Sequence, residues 1–356
     1  MNSNQVNRLT GGTMKQKVTI RDVAKYAGVS PATVSYVIND VKKVSDETKD
    51  RVSQAIKDLN YQPDFTAISL SKKKSNMLGV MIPLVGDSLA PIFKENHYYS
   101  ELISGIEYVS RKNGYDFLIS GIGKPEDCKN WVMKRNLDGL IFLNSFPEHL
   151  YEEMKTLSTP LVLIDTYEGY EDFYSHIRID DELGGYLAAK HLIELGHTSI
   201  GFIAPRMKGE IDQKRFRGFQ RAMQEANLSI NEELIFESKN GSFESGYCIG
   251  TKIAEINTEM TAIFATADIL AMGIIKALNE NGKQVPNDYS IVGFDDLMIS
   301  RYASPSLTTI RQDVVNKGVV SAQMLIDAIE LKETDPTAMT LPVELVVRES
   351  TARLSL

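Results

Sequence analysis

The sequence has few cysteines and no long apolar run, and both absences restrict what the protein can be. Cys128 and Cys248 are the only two cysteines in 356 residues. Neither a disulfide framework nor a thiolate metal site is therefore expected, and both thiols are predicted to be reduced and buried. No segment reaches the roughly 20 consecutive apolar residues of a membrane span. The polar start MNSNQVNRLTGGT lacks the apolar stretch of a secretory signal, so a cytoplasmic protein is expected.

Motifs typical of enzymes and nucleotide-binding proteins are also missing. GIGK at residues 121–124 lacks the spacing and the Lys-Ser/Thr ending of a phosphate loop, no GxGxxG follows a predicted strand, and there is no GxSxG. The five histidines include no pair at metal-ligand spacing on one helix. Of these, His191 and His197 are expected at the surface and in a turn. We therefore predict no catalytic residue, no metal, no cofactor and no enzymatic activity.

Charge is distributed unevenly along the chain. The formal net charge is −8, with 43% hydrophobic and 24% charged residues, as in soluble proteins of two or three domains. Residues 1–75 contain thirteen Lys and Arg against seven Asp and Glu, a balance of +6, so the remaining residues carry −14. A basic head before an acidic body fits nucleic-acid binding, but it also fits a solvated arm. The order of residues in the head distinguishes the two.

The head contains the signals of three short helices. Thr19 and Asp22 fit the start of the first, because a Thr hydroxyl can cap backbone amides and an acid suits the positive end of the helix dipole. Gly28 fits its end, and Ser30-Pro31 fits the start of the second. A third is predicted from residue 45 to about 59. This pattern indicates a helix-turn-helix, although three amphipathic helices can also form a protein interaction module.

The amino-acid sequence of the head is more specific than its pattern of helices. VTIRDVAKYAGVSPATVSYVIND and VSDETKDRVSQAIKDLNYQP resemble the DNA-binding headpiece of the LacI/GalR family of bacterial transcription regulators nearly residue for residue. TAISLSKKKSNMLGVMIP resembles the family hinge, which becomes helical on operator DNA and inserts a leucine, here Leu70, into the minor groove. The resemblance implies DNA contacts from Thr19, Ser30, Pro31, Ala32, Thr33, Ser35, Tyr36, Asn39 and Leu70.

The head departs from the family pattern at two positions. Tyr36 stands where many members carry a base-reading arginine, and Ile68 stands where the hinge often has arginine. A tyrosine can donate one hydrogen bond or contact a thymine methyl, but it cannot make the two-pronged contact with guanine. DNA binding is therefore predicted, whereas the operator sequence is not. Residues before Met14 have no family counterpart, and residues 1–16 are predicted to be a disordered extension.

From Met77 onward, short apolar runs alternate with amphipathic segments. Seven apolar runs predict buried strands, namely LGVMIP, YDFLISG, LDGLIFL, LVLID, SIGFIAP, TAIFAT and YSIVGFD. Segments such as LGGYLAAKHLIELG predict the helices between them. This alternation predicts two doubly wound parallel-sheet lobes covered by helices on both faces. The expected fold is an N-terminal all-α helix-turn-helix headpiece followed by an α/β core.

The body resembles the effector-binding core of the same family, itself similar to periplasmic sugar-binding proteins. The resemblance is found in five segments, namely HLIELGHTSIGFI, KRFRGFQRAM, AIFATADILAMGII, VPNDYSIVGFDD and LPVELVVREST. It implies a DNA-binding domain at 17–62, a hinge at 63–76 and a core at 77–356. The first lobe is predicted from about 77–177 and 314–340, and the second from about 178–311 and 341–356.

The resemblance also implies an effector site between the lobes. Arg215 matches an arginine that grips ligand oxygens, and Asp295 matches an acid that holds ligand hydroxyls or amines. Without the resemblance, they would be interpreted as a surface arginine and a capping acid. Tyr98 and Tyr99 suit a pocket mouth or plain helix packing, and Asp268 suits a ligand contact or a helix cap. The candidates are Tyr98, Tyr99, Asp165, Arg215, Asp268 and Asp295.

The nature of the effector stays open at this point. Departures from the family include an insertion near residues 84–95, Ala267 in place of a common asparagine, and Gly241 where sugar-binding relatives place an aromatic residue. We expect a homodimeric repressor that binds duplex operator DNA and a small polar effector, with a carbohydrate favoured. A purine, a phosphorylated metabolite or a corepressor protein are alternatives. A solute-binding protein is opposed by the basic head and the missing signal.

Overall fold

The computed structural model describes residues 18–39, 41, 43–62, 74–84, 89, 93–94, 97–122, 125–166, 169–170, 172–205, 207, 209–256, 259–331 and 335–354. The chain divides into two units, Met1–Ser75 and Asn76–Leu356. The predicted extension at 1–16 and most of the predicted hinge lie outside the described residues, and so does Leu70.

The first unit contains a small three-helix core. Its helices are α1 (Ile20–Ala27), α2 (Pro31–Ile38) and α3 (Asp46–Asp58). Val23, Val34 and Val52 are fully buried where the three helices meet. Gly28 ends α1 with φ +66°, a left-handed conformation that glycine adopts without steric cost. The predicted helix-turn-helix with its supporting third helix is confirmed.

The second unit contains two six-stranded sheets. The strands of the first sheet are β1 (Met77–Pro83), β2 (Asp116–Ile122), β3 (Gly139–Leu143), β4 (Leu161–Ile164), β5 (Ser175–Ile179) and β11 (Ala338–Leu341). Those of the second are β6 (Ile200–Ala204), β7 (Ile235–Glu237), β8 (Ala262–Ala265), β9 (Ser290–Asp295), β10 (Thr308–Gln312) and β12 (Val343–Val346). The first sheet has the order β11-β5-β4-β3-β1-β2, and the second has the order β12-β10-β9-β8-β6-β7.

Neighbouring strands are parallel throughout, with one exception. β12 pairs antiparallel with β10 at the edge of the second sheet. The prediction of two doubly wound parallel sheets is thus confirmed, with an antiparallel edge strand added. The predicted strands are all present, whereas β5, β7, β10, β11 and β12 were not predicted as strands, because their short runs include polar residues.

Helices cover both faces of each sheet. Around the first sheet lie α4 (His97–Lys112), α5 (Pro125–Arg135), α6 (Glu148–Met154) and α12 (Val314–Leu331). Around the second lie α7 (Asp181–Glu194), α8 (Glu210–Glu225), α9 (Phe243–Glu255) and α10 (Asp268–Glu280), and the short α11 (Met298–Tyr302) follows β9. Each sheet is therefore the centre of its own lobe.

The chain crosses between the lobes at three places. It passes from β5 into α7, from β10 into α12, and from β11 into β12. Val314, in the first turn of α12, already packs in the core of the first lobe, two residues after Gln312 ends a strand of the second. Residues near these crossovers can therefore link the two lobes.

Two side-chain predictions are wrong. Cys248 is exposed, because α9 buries Gly246, Ile249 and Gly250 on the opposite side of the helix. His197, expected in a surface turn, is only 3% exposed. Among the helices that the structure describes, none combines the length and apolarity needed to cross a membrane.

Candidate functional site

The start of α1 is fixed by Thr19 and Asp22. The Asp22 carboxylate accepts hydrogen bonds from Thr19 N at 2.8 Å and from Thr19 Oγ1 at 2.7 Å. The hydroxyl thus donates to the acid, and Thr19 and Asp22 together form a capping box at the start of the helix. Its hydrogen bond is the main cause that lowers the pKa of Asp22. The predicted position of the helix start is correct, and Thr19 itself stays exposed.

The start of α2 follows the predicted capping pattern. Ser30 Oγ accepts a hydrogen bond from Thr33 N at 3.1 Å and lies 2.9 Å from Thr33 Oγ1. Pro31 is the first helical residue, where its missing N–H costs nothing. A short turn therefore leads directly from α1 into α2, the helix that the resemblance assigns to the DNA major groove.

The exposed side of α2 carries the predicted base-reading residues. Pro31 and Ala32 are exposed and Tyr36 is 42% exposed, whereas Val34 is completely buried. Tyr36 and Ala32 are four residues apart and so share one face of the helix. Their exposure leaves them able to enter a groove. Contact of these side chains with bases stays a prediction.

The end of α2 is fixed by Asn39. Its Nδ2 donates to Ser35 O at 2.9 Å and lies 3.3 Å from Ser35 Oγ. Among the residues that the structure describes, the Asn39 Oδ1 atom is one of three buried side-chain N or O atoms without a hydrogen-bond partner. Ser35 is half-buried beside it. Both residues thus help to define the end of the helix, and their contact with DNA stays a prediction.

Arg215 lies in a buried polar cluster in the second lobe. Its Nε donates to Asp181 Oδ1 at 2.7 Å, Nη1 donates to Thr266 O at 2.5 Å, and Cζ lies 3.5 Å from the centre of the Phe294 ring. Burial lowers the pKa of Arg215, but three acids, led by Asp181, outweigh this and raise it. Arg215 therefore holds a fixed positive charge with a defined orientation.

The close packing of α7 against α8 positions Arg215. A Cβ atom added to Gly185 would lie 2.0 Å from Arg215 O, and one added to Gly218 would lie 1.9 Å from Glu182 O. The two helices can approach this closely only because both positions lack a side chain. Asp181, at the start of α7, then reaches the arginine on α8.

Asp295 ends β9 and is 9% exposed. Its φ of +119° is unusual for a residue with a side chain. Gln312 Nε2 donates to Asp295 Oδ1 at 2.5 Å. Burial raises the pKa of Asp295 to about 6, although Arg215, Gln312 and Lys317 oppose the shift. Asp295 therefore occupies the predicted place at the carboxyl end of a strand.

Asp165 directly follows β4 in the first lobe and lies in a second part of the same cluster. Its carboxylate accepts from Lys317 Nζ at 2.9 and 3.0 Å and from Tyr98 Oη at 2.5 Å. The pKa of Tyr98 lies far above its ordinary value, mainly because the side chain is buried and next because the negative charge of Asp165 lies beside it. Lys317 Nζ also donates to Gln312 Oε1 at 2.5 Å. Gln312 thereby links the Asp165 and Asp295 parts of the cluster.

Tyr99 lies at the side of this cluster. Its ring meets that of Tyr98 edge-on, with centroids 5.5 Å apart, and its hydroxyl accepts from Asn144 Nδ2 at 2.6 Å. Asn144 follows β3 in the same way that Asp165 follows β4. Tyr98, Tyr99 and Asp165 therefore lie together, and their contact with an effector stays a prediction.

Asp268 differs from the other candidates because protein donors surround it. It has no exposed surface and accepts from Leu297 N at 2.9 Å, Ser300 Oγ at 2.6 Å and Thr309 Oγ1 at 2.6 Å. Its side chain does not cap α10, whose N-cap is Ala267 without a side-chain hydrogen bond. The prediction of a helix cap is therefore wrong, because the carboxylate instead joins β10 to the loop before α11.

The sequence interpretation missed Lys317, Gln312 and Asp181 as members of this cluster. Gln312 is the last residue of β10, and Asp181 lies two residues after β5. The rule that ligands bind beyond the carboxyl ends of strands would have selected both, had these strands been predicted. Lys317 is completely buried on α12, and its only signal was that it is the one Lys or Arg in that helix.

Family models match both units of the chain. The model for bacterial regulatory proteins of the lacI family matches residues 19–64, and the model for a periplasmic binding protein-like domain matches residues 189–351. The matches agree with the helix-turn-helix and with the two-lobed α/β core.

Related proteins match along nearly the whole chain. The HTH-type transcriptional repressor PurR of Mannheimia succiniciproducens is 34% identical over 346 residues, which are 95% of this chain and 99% of the relative. The repressor of the same name from Actinobacillus pleuropneumoniae is 37% identical over 347 residues, with the same coverage.

Solved structures agree with these relatives. A lac repressor dimer bound to operator and the anti-inducer ONPF is 28% identical, with a TM-score of 0.82 over 95% of this chain and all of that chain. A complex of the transcriptional regulator CelR with cellobiose is 26% identical, with a TM-score of 0.71 over 94% of this chain and 99% of that chain. The relatives are named as transcription regulators and not as enzymes, as the missing catalytic motifs predicted. The chain is a DNA-binding transcription regulator and belongs to the LacI family of bacterial regulatory proteins.

Proposed function

We propose that the protein is a repressor whose affinity for operator DNA is controlled by a small polar effector bound at the cluster of Arg215, Asp295, Asp165 and Tyr98. The observation that carries this proposal is the buried chain of contacts that runs from Tyr98 in the first lobe to Asp295 in the second. A ligand that favours one arrangement of the lobes shifts the population of that arrangement. Its binding is then coupled to DNA binding.

A purine is the first candidate for the effector. Its support is the name of the relatives, which are 34% and 37% identical over nearly their whole length. The cluster suits a planar polar ring, because charged donors and acceptors stand beside the aromatic rings of Tyr98 and Phe294. A carbohydrate, favoured from the sequence, is the second candidate, and its support is the cellobiose complex of CelR.

Operator titrations with candidate ligands test the effector. The operator is first selected from random duplexes with the full chain. Its affinity is then measured with hypoxanthine, guanine, cellobiose or ribose, each against buffer. We expect a purine to change operator affinity by about 5- to 150-fold, the usual range of such couplings. A response to a sugar alone would replace the purine, and no response to any ligand would contradict small-molecule control.

Duplex DNA is the proposed partner of α2 and of the basic residues around it. Phosphate contacts release condensed counterions, so log affinity falls by about 0.9 per log unit of salt for each phosphate neutralised. We expect a steep salt dependence, and loss of binding when residues 1–75 are deleted. An affinity that does not change with salt would contradict the proposal.

A second copy of the chain is the other proposed partner. Paired half-sites need a dimer, because one short recognition helix makes few base contacts. The short helix α11 exposes 60% of Met298 and 78% of Tyr302, an apolar surface that a second copy can cover. The lac repressor structure, matched over 95% of this chain, is a dimer. Sedimentation should show a dimer that Tyr302→Asp weakens, whereas a monomer at micromolar concentration would contradict this.

A further inference from the structure

Lys317 introduces a buried positive charge into the cluster that the effector is proposed to contact. Its ammonium group has no exposed surface and donates to both oxygens of Asp165, to Gln312 Oε1 and, at 3.3 Å, to Tyr98 Oη. Lysine offers three N–H donors and no acceptor. These contacts therefore hold the group in one place, at the crossover from β10 into α12.

The ion pair with Lys317 makes the Asp165 carboxylate less available as a hydrogen-bond acceptor for a ligand. Both carboxylate oxygens are already engaged, Oδ1 by Lys317 and Oδ2 by Lys317 and Tyr98. A ligand hydroxyl or amine that took one of them would have to compete with a buried ion pair, and an unpaired buried charge is strongly unfavourable. Asp165 is therefore a poor acceptor for an effector, although its position after β4 suggests that role.

The side-chain amide of Gln312 indicates which chemical groups fit between Lys317 and Asp295. Its Oε1 accepts a hydrogen bond from Lys317 Nζ, and its Nε2 donates to Asp295 Oδ1. The orientation of the amide is determined by its partners, because lysine only donates and an ionised carboxylate only accepts. A group that takes the place of this amide must offer an oxygen acceptor to Lys317, and a neighbouring donor suits Asp295.

We propose that Lys317 is a specificity-determining residue that selects effectors with a carbonyl, carboxylate or phosphate oxygen at its ammonium group, and rejects those with an amino group there. The proposal rests on the proposed function, because it assumes that the effector binds at this cluster. A charge-assisted hydrogen bond to a fixed ammonium is stronger than a neutral one. An amino group at the same place would set two donors against each other and would not replace the acceptor that Gln312 Oε1 provides.

Two ligand pairs that differ at one group test the proposal on the full chain by calorimetry. Hypoxanthine and adenine have an oxygen or an amino group on the same ring, and glucose 6-phosphate and glucose differ by a phosphate. In the pair that binds, we expect the ligand with the oxygen acceptor to bind about 10- to 100-fold more tightly, the usual effect of a hydrogen bond to a charged group. Comparison of the purine pair with the sugar pair also shows whether the oxygen that binds belongs to a ring carbonyl or to a phosphate.

The variant Asp165→Asn/Lys317→Met removes both charges and leaves no unpaired ion behind. Asn is tolerated at residue 165, whose φ is +58°. We expect this double variant to lose the preference and bind both members of the pair within a few-fold. Lys276→Met is the matched control, because Lys276 is 56% exposed and forms only a surface ion pair with Glu280 at 3.0 Å. It should keep the full preference.

The outcomes separate this inference from the proposed function. A preference for the oxygen-bearing ligand that survives in the double variant would overturn the role of Lys317 and leave effector control intact. Tighter binding of adenine than of hypoxanthine, or of glucose than of its phosphate, would also overturn it. If none of the four ligands binds and operator affinity responds to none, both the effector proposal and this inference fail.

Discussion

Arg215 and Asp181 form a buried ion pair between two helices that cross at glycines, with Nε donating to Oδ1 at 2.7 Å. The pair depends on the close approach of α7 and α8, which Gly185 and Gly218 permit. The candidate effector site therefore has a rigid half, held by backbone packing, and a half at the crossover between the lobes. The two halves meet at Gln312.

Arg215→Ala should abolish the response to effector and destabilise the core. The substitution removes the positive member of a buried ion pair with Asp181, which is 2% exposed, and breaking a buried pair in this way costs about 3–5 kcal/mol. Urea unfolding and operator titrations with and without effector measure the two effects. Arg217→Ala is the control on the same helix, because Arg217 is 51% exposed and lies 4.0 Å from Glu182. Such surface pairs contribute about 0–1 kcal/mol. A normal effector response in Arg215→Ala would exclude the arginine from the site.

Gly185→Ala should weaken both stability and effector binding. The new methyl group would meet the backbone carbonyl of Arg215 at 2.0 Å, so α7 and α8 must separate, and overpacking of this kind costs about 1–3 kcal/mol. Thermal unfolding and ligand titration measure the change. Gly241→Ala should change neither, because an added Cβ meets nothing within 4 Å there. Equal stability of the two variants would contradict the role given to the helix crossing.

Local features of the chain were predictable from the sequence. Ser30, Gly28 and the strands before Asp165 and Asp295 follow rules that depend on a few neighbouring residues: capping, left-handed glycine and apolar runs. Arg215 came from the resemblance alone, because within KRFRGFQRAM it does not differ in type from the exposed Arg217 and Arg221.

Contacts between distant parts of the chain were not predictable. Lys317 pairs with Asp165 across 152 positions of sequence, and a single charged residue in VVNKGVVSAQML gives no sign of that partner. Asp268 was interpreted as a cap because acids are common at helix starts. Its three donors come from segments 29 to 41 residues away, which only the fold brings together.

His197 should make part of the stability depend on pH. Its Nδ1 lies 2.9 Å from Thr261 Oγ1, and its Nε2 lies 2.9 Å from Ser290 Oγ and 3.1 Å from Ala352 O. Burial, opposed by the Ala352 carbonyl, lowers the pKa of His197 below its ordinary value of 6.5. As pH falls through 6.5, the unfolded chain binds the proton first. The stability supplied by the neutral ring is therefore complete above this pH and declines below it.

Urea unfolding from pH 5.5 to 7.5 measures this dependence. His197→Gln should be less stable than the unsubstituted protein by about 1–3 kcal/mol at the upper pH, because the hydroxyls of Thr261 and Ser290 lose their hydrogen bonds to the imidazole ring. The difference should shrink toward the lower pH. His149→Gln, at an exposed position on α6, should leave the pH dependence as it is. A difference for His197→Gln that stays constant with pH would mean that the ring acts only by packing.

Tyr36→Arg should change which DNA sequence is preferred without changing stability. Tyr36 is 42% exposed on the side of α2 opposite the buried Val34, so an arginine fits there and can bond the two acceptors of a guanine. Selection from random duplexes should return half-sites with a guanine at one position, with discrimination changed by about 1–3 kcal/mol. Tyr26→Phe is the control, since Tyr26 lies on α1 and its hydroxyl donates to Asp58 at 3.2 Å. It should keep the original half-site. Identical half-sites from Tyr36→Arg and the unsubstituted protein, or a large loss of melting temperature, would show that Tyr36 supports the domain and does not read bases.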